Sequence, residues 1–170
     1  MDQCPDCRDP APAFDVARAP AVYTGVARDA LMTFKLGGER RSAGVLALHM
    51  ERVGAPLRAD LITFVPSTHR TVAARGYNPA AELARALAPR LRIPLKPVLE
   101  KVRETSDQSE LGRLARHRNL RDAFRARSVT GRILLVDDVM TTGATAHACS
   151  LALRAAGASD IAVLTFARAR

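Results

Sequence analysis

The sequence predicts an α/β domain built on a parallel sheet with helices on both faces. Three short apolar runs, at residues 61–65, 133–136 and 161–166, have the composition of strands that are buried on both sides. Segments with the apolar spacing of helices separate these runs, and such alternation produces parallel strands joined by right-handed crossovers. Because the ligands of such sheets bind beyond the carboxyl ends of the strands, we expect the functional site at that edge.

The N-terminal range 1–20 is predicted to be a partial zinc-knuckle-like segment and linker, ahead of a domain at residues 21–170. Cys4 and Cys7 form a C-x2-C pair, which is half of a structural zinc site, because zinc there normally takes four ligands. No second pair follows. Three prolines within residues 8–20 indicate an extended linker.

A short strand and two helices are predicted ahead of the first buried run. The strand spans residues 21–25 and the first helix residues 26–36. Lys35 lies in the last turn of that helix, where a cation complements the helix dipole. Ser42 is predicted as the N-cap of the second helix, which continues to about residue 53.

The segment after the run at 61–65 has a helix-start signal. Asn78 followed by Pro79 combines a favoured N-cap with a residue suited to the first helical position. The helix is expected over residues 80–87 and to be broken at Pro89. Residues 96–102 alternate weakly and indicate a further strand.

Residues 103–118 begin with a polar run that offers little to bury. We therefore expect a mobile loop there, with a helix from about Ser109. Across residues 103–127, seven arginines and four acids give a local charge of 7 − 4 = +3.

The most informative stretch of the sequence joins the run at 133–136 to the next helix, expected at 144–156. Asp137 and Asp138 follow the run directly, at the point where the strand is expected to end. A small hydroxyl-rich turn then leads into the helix, through Thr141, Thr142, Gly143, Ala144 and Thr145. Such a turn can hold a phosphate with backbone N–H groups and the helix dipole, and acids at a strand tip can accept hydrogen bonds from ribose hydroxyls. The alternative is an ordinary strand-to-helix turn with solvated aspartates.

The composition favours anionic partners. The net charge is +9, and 26 − 3 = 23 of the basic residues are arginine, which suits bidentate phosphate contacts. A general bias toward arginine explains the charge equally well. The five Phe and two Tyr residues give little support for a base-stacking platform. The N-terminus lacks the features of a signal peptide, so we expect a cytoplasmic protein.

The stretch at residues 133–145 resembles the phosphoribosyl pyrophosphate (PRPP) signature of type I phosphoribosyltransferases. The order of motifs along the whole chain is similar to that of the ComF family, also called GntX-like or amidophosphoribosyltransferase-like proteins. The residues that carry the likeness are Cys4 and Cys7, Tyr23-Thr24-Gly25, Lys35, Val65-Pro66, Arg75-Gly76-Tyr77-Asn78, Thr105, Gln108, Leu111, Arg116, Asn119, 133–145 and Ala167-Arg168. The family usually has four cysteines where this chain has one C-x2-C pair.

The resemblance implies a type I phosphoribosyltransferase fold and a role for each motif. The turn at 141–145 would hold the 5′-phosphate of PRPP, while Asp137 and Asp138 would bind the ribose 2′- and 3′-hydroxyls, directly or through Mg2+. The pyrophosphate loop would consist of Pro66, Ser67 and Thr68. Arg75 would either reach the same anion, which makes it a catalytic candidate beside the two aspartates, or remain solvated. The loop at 103–118 would close over the site.

Two classes of function follow, and the sequence leaves them open. The first is a Mg2+-dependent phosphoribosyltransferase, a glycosyltransferase of nucleotide metabolism that releases pyrophosphate from PRPP. The second is a competence protein that senses nucleotides or handles single-stranded DNA without catalysis. A regulator that binds PRPP or nucleotides is a third reading. Zinc at Cys4 and Cys7 would need further ligands.

Overall fold

The computed structural model describes residues 11–36, 40–103 and 122–169. The strands are β1 (Val16–Arg18), β2 (Ala21–Val22), β3 (Leu61–Phe64), β4 (Leu99–Lys101), β5 (Phe124–Ala126), β6 (Arg132–Met140) and β7 (Asp160–Arg168). The helices are α1 (Gly25–Leu36), α2 (Ala43–Gly54), α3 (His69–Arg75), α4 (Pro79–Leu91) and α5 (Ala144–Ala155), with short 3-10 turns at Arg40–Ser42 and Ala55–Leu57. The predictions for Cys4 and Cys7, and those for residues 104–121, lie outside the described residues.

Five strands form one parallel sheet in the order β1-β7-β6-β3, with β2 pairing with β7 beyond the end of β1. At its centre, Val136 of β6 is aligned with Phe64 of β3 on one side and with Leu164 of β7 on the other. The predicted parallel sheet is therefore confirmed. None of the described helices is long and apolar enough to cross a bilayer.

Alternate residues of β6 belong to two separate cores, one on each face of the sheet. Ile133 and Leu135 pack with α5 and with β4 and β5. Leu134 and Val136 pack with α1, α2 and α4. This alternation is the two-residue period of a strand that is covered on both faces, and it confirms the expected placement of helices on both faces.

Strands β4 and β5 pair antiparallel with each other, outside the main sheet. The strand predicted at residues 96–102 is thus present at Leu99–Lys101, but it belongs to a separate ribbon. The ribbon packs Leu99 and Phe124 into the core that contains Cys149 and Leu153 of α5.

The N-terminal boundary differs from the expected one, because Val16–Arg18 of the supposed linker forms β1. The carboxylate of Asp15 fixes this edge. It accepts the N–H of Ile161 at 2.6 Å and is paired with the Arg154 guanidinium of α5, also at 2.6 Å. These contacts join the first strand to both β7 and α5, so the sheet begins before residue 21.

Two predicted helix boundaries are also corrected. Ser42 has helical φ and ψ and makes no side-chain capping hydrogen bond, because it completes the preceding 3-10 turn. Helix α4 continues through Pro89 to Leu91. A proline in the last turn removes just one intrahelical hydrogen bond. Arg92, in the left-handed conformation, then ends the helix by donating its N–H to Ala88.

Candidate functional site

The two aspartates lie on β6 itself, since the strand continues to Met140 rather than ending before them. On one side, Asp137 is still aligned with Thr165 of β7. On the other side, β3 has already ended at Phe64, and the N–H of Val65 makes the last bond to β6, at the carbonyl of Val136. The acids therefore line a notch at the carboxyl edge of the sheet.

Asp138 forms an ion pair with Lys35, whose Nζ lies 2.9 Å from Oδ2. The two side chains are 16% and 13% exposed, respectively. Asp138 follows Leu134 and Val136 on the strand face that is covered by α1. Lys35 extends from the last turn of α1, next to the fully buried Phe34. The expectation that Lys35 merely complements the helix dipole is therefore incomplete, because its ammonium neutralises a signature carboxylate.

Asp137 lies on the opposite face of β6, as Ile133 and Leu135 do. Its Oδ1 accepts the N–H of Asp138 at 2.9 Å. Burial, and then the nearby charge of Asp138, raise the pKa of Asp137 to about 8, although the hydrogen bond from Asp138 and the charge of Lys35 oppose the shift. The negative charge of Asp137 in turn adds to the effect of burial in raising the pKa of Cys149 on α5.

The turn after β6 leads directly into the first turn of α5. Gly143 takes a left-handed φ of 75° as the N-cap of α5, a conformation that glycine adopts without steric cost. The N–H of Ala144 reaches Thr142 Oγ1 at 3.4 Å. The next N–H groups of the first turn lack intrahelical partners in any α-helix, so an anion can accept from them.

The loop at residues 66–68 begins at the adjacent strand and lies along the same edge. Thr68 caps α3, since its Oγ1 accepts the N–H of Thr71 at 3.1 Å. Asn78 anchors the other end of this region: its Oδ1 accepts the N–H of Ala80 at 3.0 Å, and its Nδ2 donates to the carbonyl of Val65 at 3.0 Å. The predicted cap at Asn78 is confirmed, and its second bond, to Val65, was not foreseen.

Arg75 is the exposed last residue of α3. Arg75 lies near the buried Tyr77. Burial raises the pKa of Tyr77, and the positive charge of Arg75 opposes that shift. Arg40 stacks over the Tyr77 ring at 5.0 Å and donates to the carbonyl of Gly76. The structure thus places Arg75 at the C-terminal end of α3, and among the described residues it forms no ion pair with either aspartate.

The structure brings together three sequence-predicted groups: the two acids, the turn at 141–145 and the loop at 66–68. Within the described ranges, no three His, Cys, Asp or Glu side chains group as metal ligands. Sequence reasoning did not foresee the pairing of Lys35 with Asp138. The sequence signal for this pair was a lysine in the last turn of a helix that also carries the buried Leu31 and Phe34.

Two curated relatives show what this chain is similar to in sequence. Competence protein F of Haemophilus influenzae is 38% identical over 116 residues, which are 65% of this chain and 51% of that protein. DNA utilization protein YhgH of Escherichia coli K12 is 33% identical over 124 residues, 71% of this chain and 55% of that protein. The chain therefore spans about half the length of the curated relatives it matches. No protein-family model matches it.

The glutamine PRPP amidotransferase of B. subtilis, solved with ADP and GMP, superimposes with a TM-score of 0.52 at 21% identity. The match covers 78% of this chain and 30% of that one. At this identity the likeness concerns the fold, which is the type I phosphoribosyltransferase fold.

Proposed function

Since this chain belongs to the ComF family, with competence protein F and DNA utilization protein YhgH among its homologues, we propose that it binds a 5-phosphoribosyl group. The ligand is PRPP or a nucleotide. Residues 141–145 receive the 5′-phosphate, the acids on β6 face the sugar, and the loop at 66–68 faces the pyrophosphate.

The observation that carries the proposal is the N-terminus of α5 beside the acids. Gly143 turns the chain from β6 into the helix within three residues of Met140. The phosphate-binding N–H groups and Asp137 therefore belong to one continuous segment. A phosphate and a sugar hydroxyl of the same ligand can reach both, because the strand and the helix meet at a single short turn.

Mg2+ fits this site as an ion held mainly by the ligand and by water. Asp138 is already paired with Lys35, and Asp137 lies on the other face of the strand. One carboxylate together with phosphate oxygens suffices for Mg2+, which keeps several waters and needs no cage of protein ligands. When bound, the ion would neutralise charge on the pyrophosphate.

Phosphoribosyl transfer is an extension of the binding proposal. The bond between ribose C1 and the pyrophosphate oxygen would break, pyrophosphate would leave with the bond electrons, and an acceptor nucleophile would bond to C1. Arg75 and the loop at 66–68 would stabilise the leaving anion.

Release of pyrophosphate from PRPP and Mg2+ in the presence of nucleobases tests this step. A protein that binds PRPP but releases none with any base is a sensor rather than a transferase.

Nucleic-acid binding is the second candidate, favoured by the charge near the same edge. Arg40, Arg41, Arg70 and Arg75 are all exposed, within a chain of net charge +9. The names of the relatives refer to competence and DNA utilization. Binding to a single-stranded oligonucleotide that weakens steeply with added salt would support this function, and no binding at low salt would remove it.

Thermal unfolding with and without PRPP and Mg2+ tests the primary proposal. A bound ligand stabilises the folded state by mass action, so the midpoint should rise with PRPP concentration. Inorganic pyrophosphate with Mg2+ is the matched control, because it lacks the ribose and the 5′-phosphate. An equal rise with both ligands would indicate a pyrophosphate site without phosphoribosyl recognition.

A further inference from the structure

Arg40 is an exposed arginine whose guanidinium is held by two contacts. Its Cζ lies 5.0 Å from the centroid of the Tyr77 ring, and its Nη2 donates to the carbonyl of Gly76. Stacking and hydrogen bonding together restrict the rotamers of a long side chain. An anion that binds this arginine therefore meets a group that is already ordered, which favours binding.

The ring that supports Arg40 belongs to the packed core. Tyr77 is 4% exposed, and its ring centroid lies 5.8 Å from that of Phe34 in α1. Gly76, which accepts the hydrogen bond, ends α3 in the left-handed conformation, with a φ of 78°. The orientation of the guanidinium thus follows from the fold.

The charges around Tyr77 leave a positive excess. Burial raises the pKa of Tyr77, and the positive charges of Arg75 and Arg40 oppose that shift. The negative charges of Glu82 and Asp138 add to the shift, but both acids are already paired with other cations, at 2.6 Å and 2.9 Å respectively. Among the described residues, neither arginine has an acidic partner, so both can donate to an anion.

The Tyr77 ring adjoins the candidate site on two sides. The next residue, Asn78, donates its Nδ2 at 3.0 Å to the carbonyl that directly precedes the loop at 66–68. On the other side of the ring, Phe34 is followed by Lys35, whose ammonium pairs with one of the signature acids. The arginine on this ring therefore lies at the same edge of the sheet as the acids.

We propose that Arg40 binds the pyrophosphate of PRPP and that Tyr77 is the positioning residue that holds it there. The proposed place of the 5′-phosphate is residues 141–145, after β6, whereas Arg40 lies on the side of β3 and its loop. Pyrophosphate is the other anionic end of that ligand, and a guanidinium can donate two parallel hydrogen bonds to it. The inference rests on the proposed phosphoribosyl site and adds to it a residue that contacts the leaving group.

The test is isothermal titration of the full chain with PRPP and with ribose 5-phosphate, each with Mg2+. Ribose 5-phosphate lacks the pyrophosphate. Arg40→Gln should lower the affinity for PRPP by about tenfold, since charge-assisted hydrogen bonds are lost, and leave that for ribose 5-phosphate within about twofold. Arg52→Gln is the control, because it removes the same charge from an exposed arginine in the last turn of α2. It should leave both affinities within about twofold of wild type.

Two substitutions of Tyr77 test its positioning role. Tyr77→Phe keeps the ring and removes a buried hydroxyl that has no hydrogen-bond partner among the described residues. Its affinity for PRPP should therefore stay within about twofold of wild type. Tyr77→Leu removes the ring under the guanidinium, so it should weaken PRPP binding by about threefold or more and leave ribose 5-phosphate binding unchanged.

Equal PRPP affinities of Arg40→Gln and Arg52→Gln would overturn the inference, and so would an equal loss for both ligands in Arg40→Gln. These outcomes decide even if Tyr77→Leu does not fold. A folded Tyr77→Leu protein with wild-type affinity for PRPP would remove the positioning role. If Arg40→Gln weakened binding of a single-stranded oligonucleotide alone, the arginine would belong to a nucleic-acid surface and the inference would be wrong. A wild-type chain that binds neither ligand would overturn the proposed phosphoribosyl site, and the inference with it.

Discussion

Lys35 and Asp138 join the last turn of α1 to the carboxyl end of β6, with Nζ and Oδ2 2.9 Å apart. They are 103 positions apart in the sequence (138 − 35 = 103), and the parallel sheet with its covering helices brings them together. The contact makes the candidate site part of the packed core rather than an appended loop.

Lys35→Met should lower the free energy of unfolding by about 2 kcal/mol, between the values typical of exposed and fully buried ion pairs. The cause is the unpaired carboxylate left at Asp138. Urea unfolding measures the loss. The double variant Lys35→Met with Asp138→Asn should be less destabilised than the sum of the single variants, because it leaves no charge behind. Strict additivity would show that the two side chains do not interact.

Asn78 performs two tasks that two substitutions separate. Asn78→Asp keeps the acceptor that caps α4 but loses the Nδ2 donor to the Val65 carbonyl. Asn78→Ala loses both, so its cost in unfolding free energy should be larger and reach about 2 kcal/mol. Equal destabilisation by the two substitutions would mean that the bond to the Val65 carbonyl accounts for the whole effect and that the cap of α4 contributes none of it.

Gly157 is required where α5 turns into β7. Its φ is 110°, and a Cβ there would lie 2.5 Å from the carbonyl oxygen of Val129. Gly157→Ala should therefore destabilise the fold by about 1–3 kcal/mol. Gly44→Ala is the control, since Gly44 lies within α2 and a Cβ there meets no atom within 4 Å. It should be neutral or stabilising, because alanine favours the helix. Similar losses in both variants would contradict this account.

Asp60 links the start of β3 to the start of β6 and makes stability depend on pH in the acid range. Hydrogen bonds from the Arg132 side chain, and then from its backbone N–H, lower the pKa of Asp60 to about 2. The folded-state pKa of Asp60 is below its unfolded-state pKa. The ionised carboxylate therefore stabilises the fold fully above about pH 4, and this stabilisation is lost as the pH falls toward 2. The difference in midpoint between wild type and Asp60→Asn should shrink over that range in thermal unfolding. A constant difference between pH 7 and pH 3 would exclude this linkage.

The central strands and the site segments were predictable because their signals are local. The apolar runs of β3, β6 and β7 and the Asn78-Pro79 helix start are properties of a few adjacent residues. The turn around Gly143 was predicted for the same reason, since a small hydroxyl-rich stretch directly precedes a helical pattern there.

The remaining features depend on contacts that are distant in sequence. β1 is three residues long and follows two prolines, so its strand character comes from pairing with β7 and from the bonds of Asp15. On α5, the apolar Leu151 is 49% exposed, while the polar Ser150 is fully buried. The orientation of a helix is set by what packs on it, and the ribbon of β4 and β5 could not be foreseen as its partner.

The central claim is that the segment from Asp137 to the first turn of α5 binds a phosphoribosyl group. Isothermal titration of the full chain with PRPP and Mg2+ tests it most directly, with Asp137→Asn compared against Asp29→Asn, an exposed aspartate of α1. At about pH 9, where Asp137 is ionised, we expect saturable binding to wild type and to Asp29→Asn, and an affinity about tenfold lower for Asp137→Asn, as for the loss of one hydrogen bond to a charged acceptor. Absence of heat on titration of the wild-type chain, or equal affinity for all three proteins, would contradict the account.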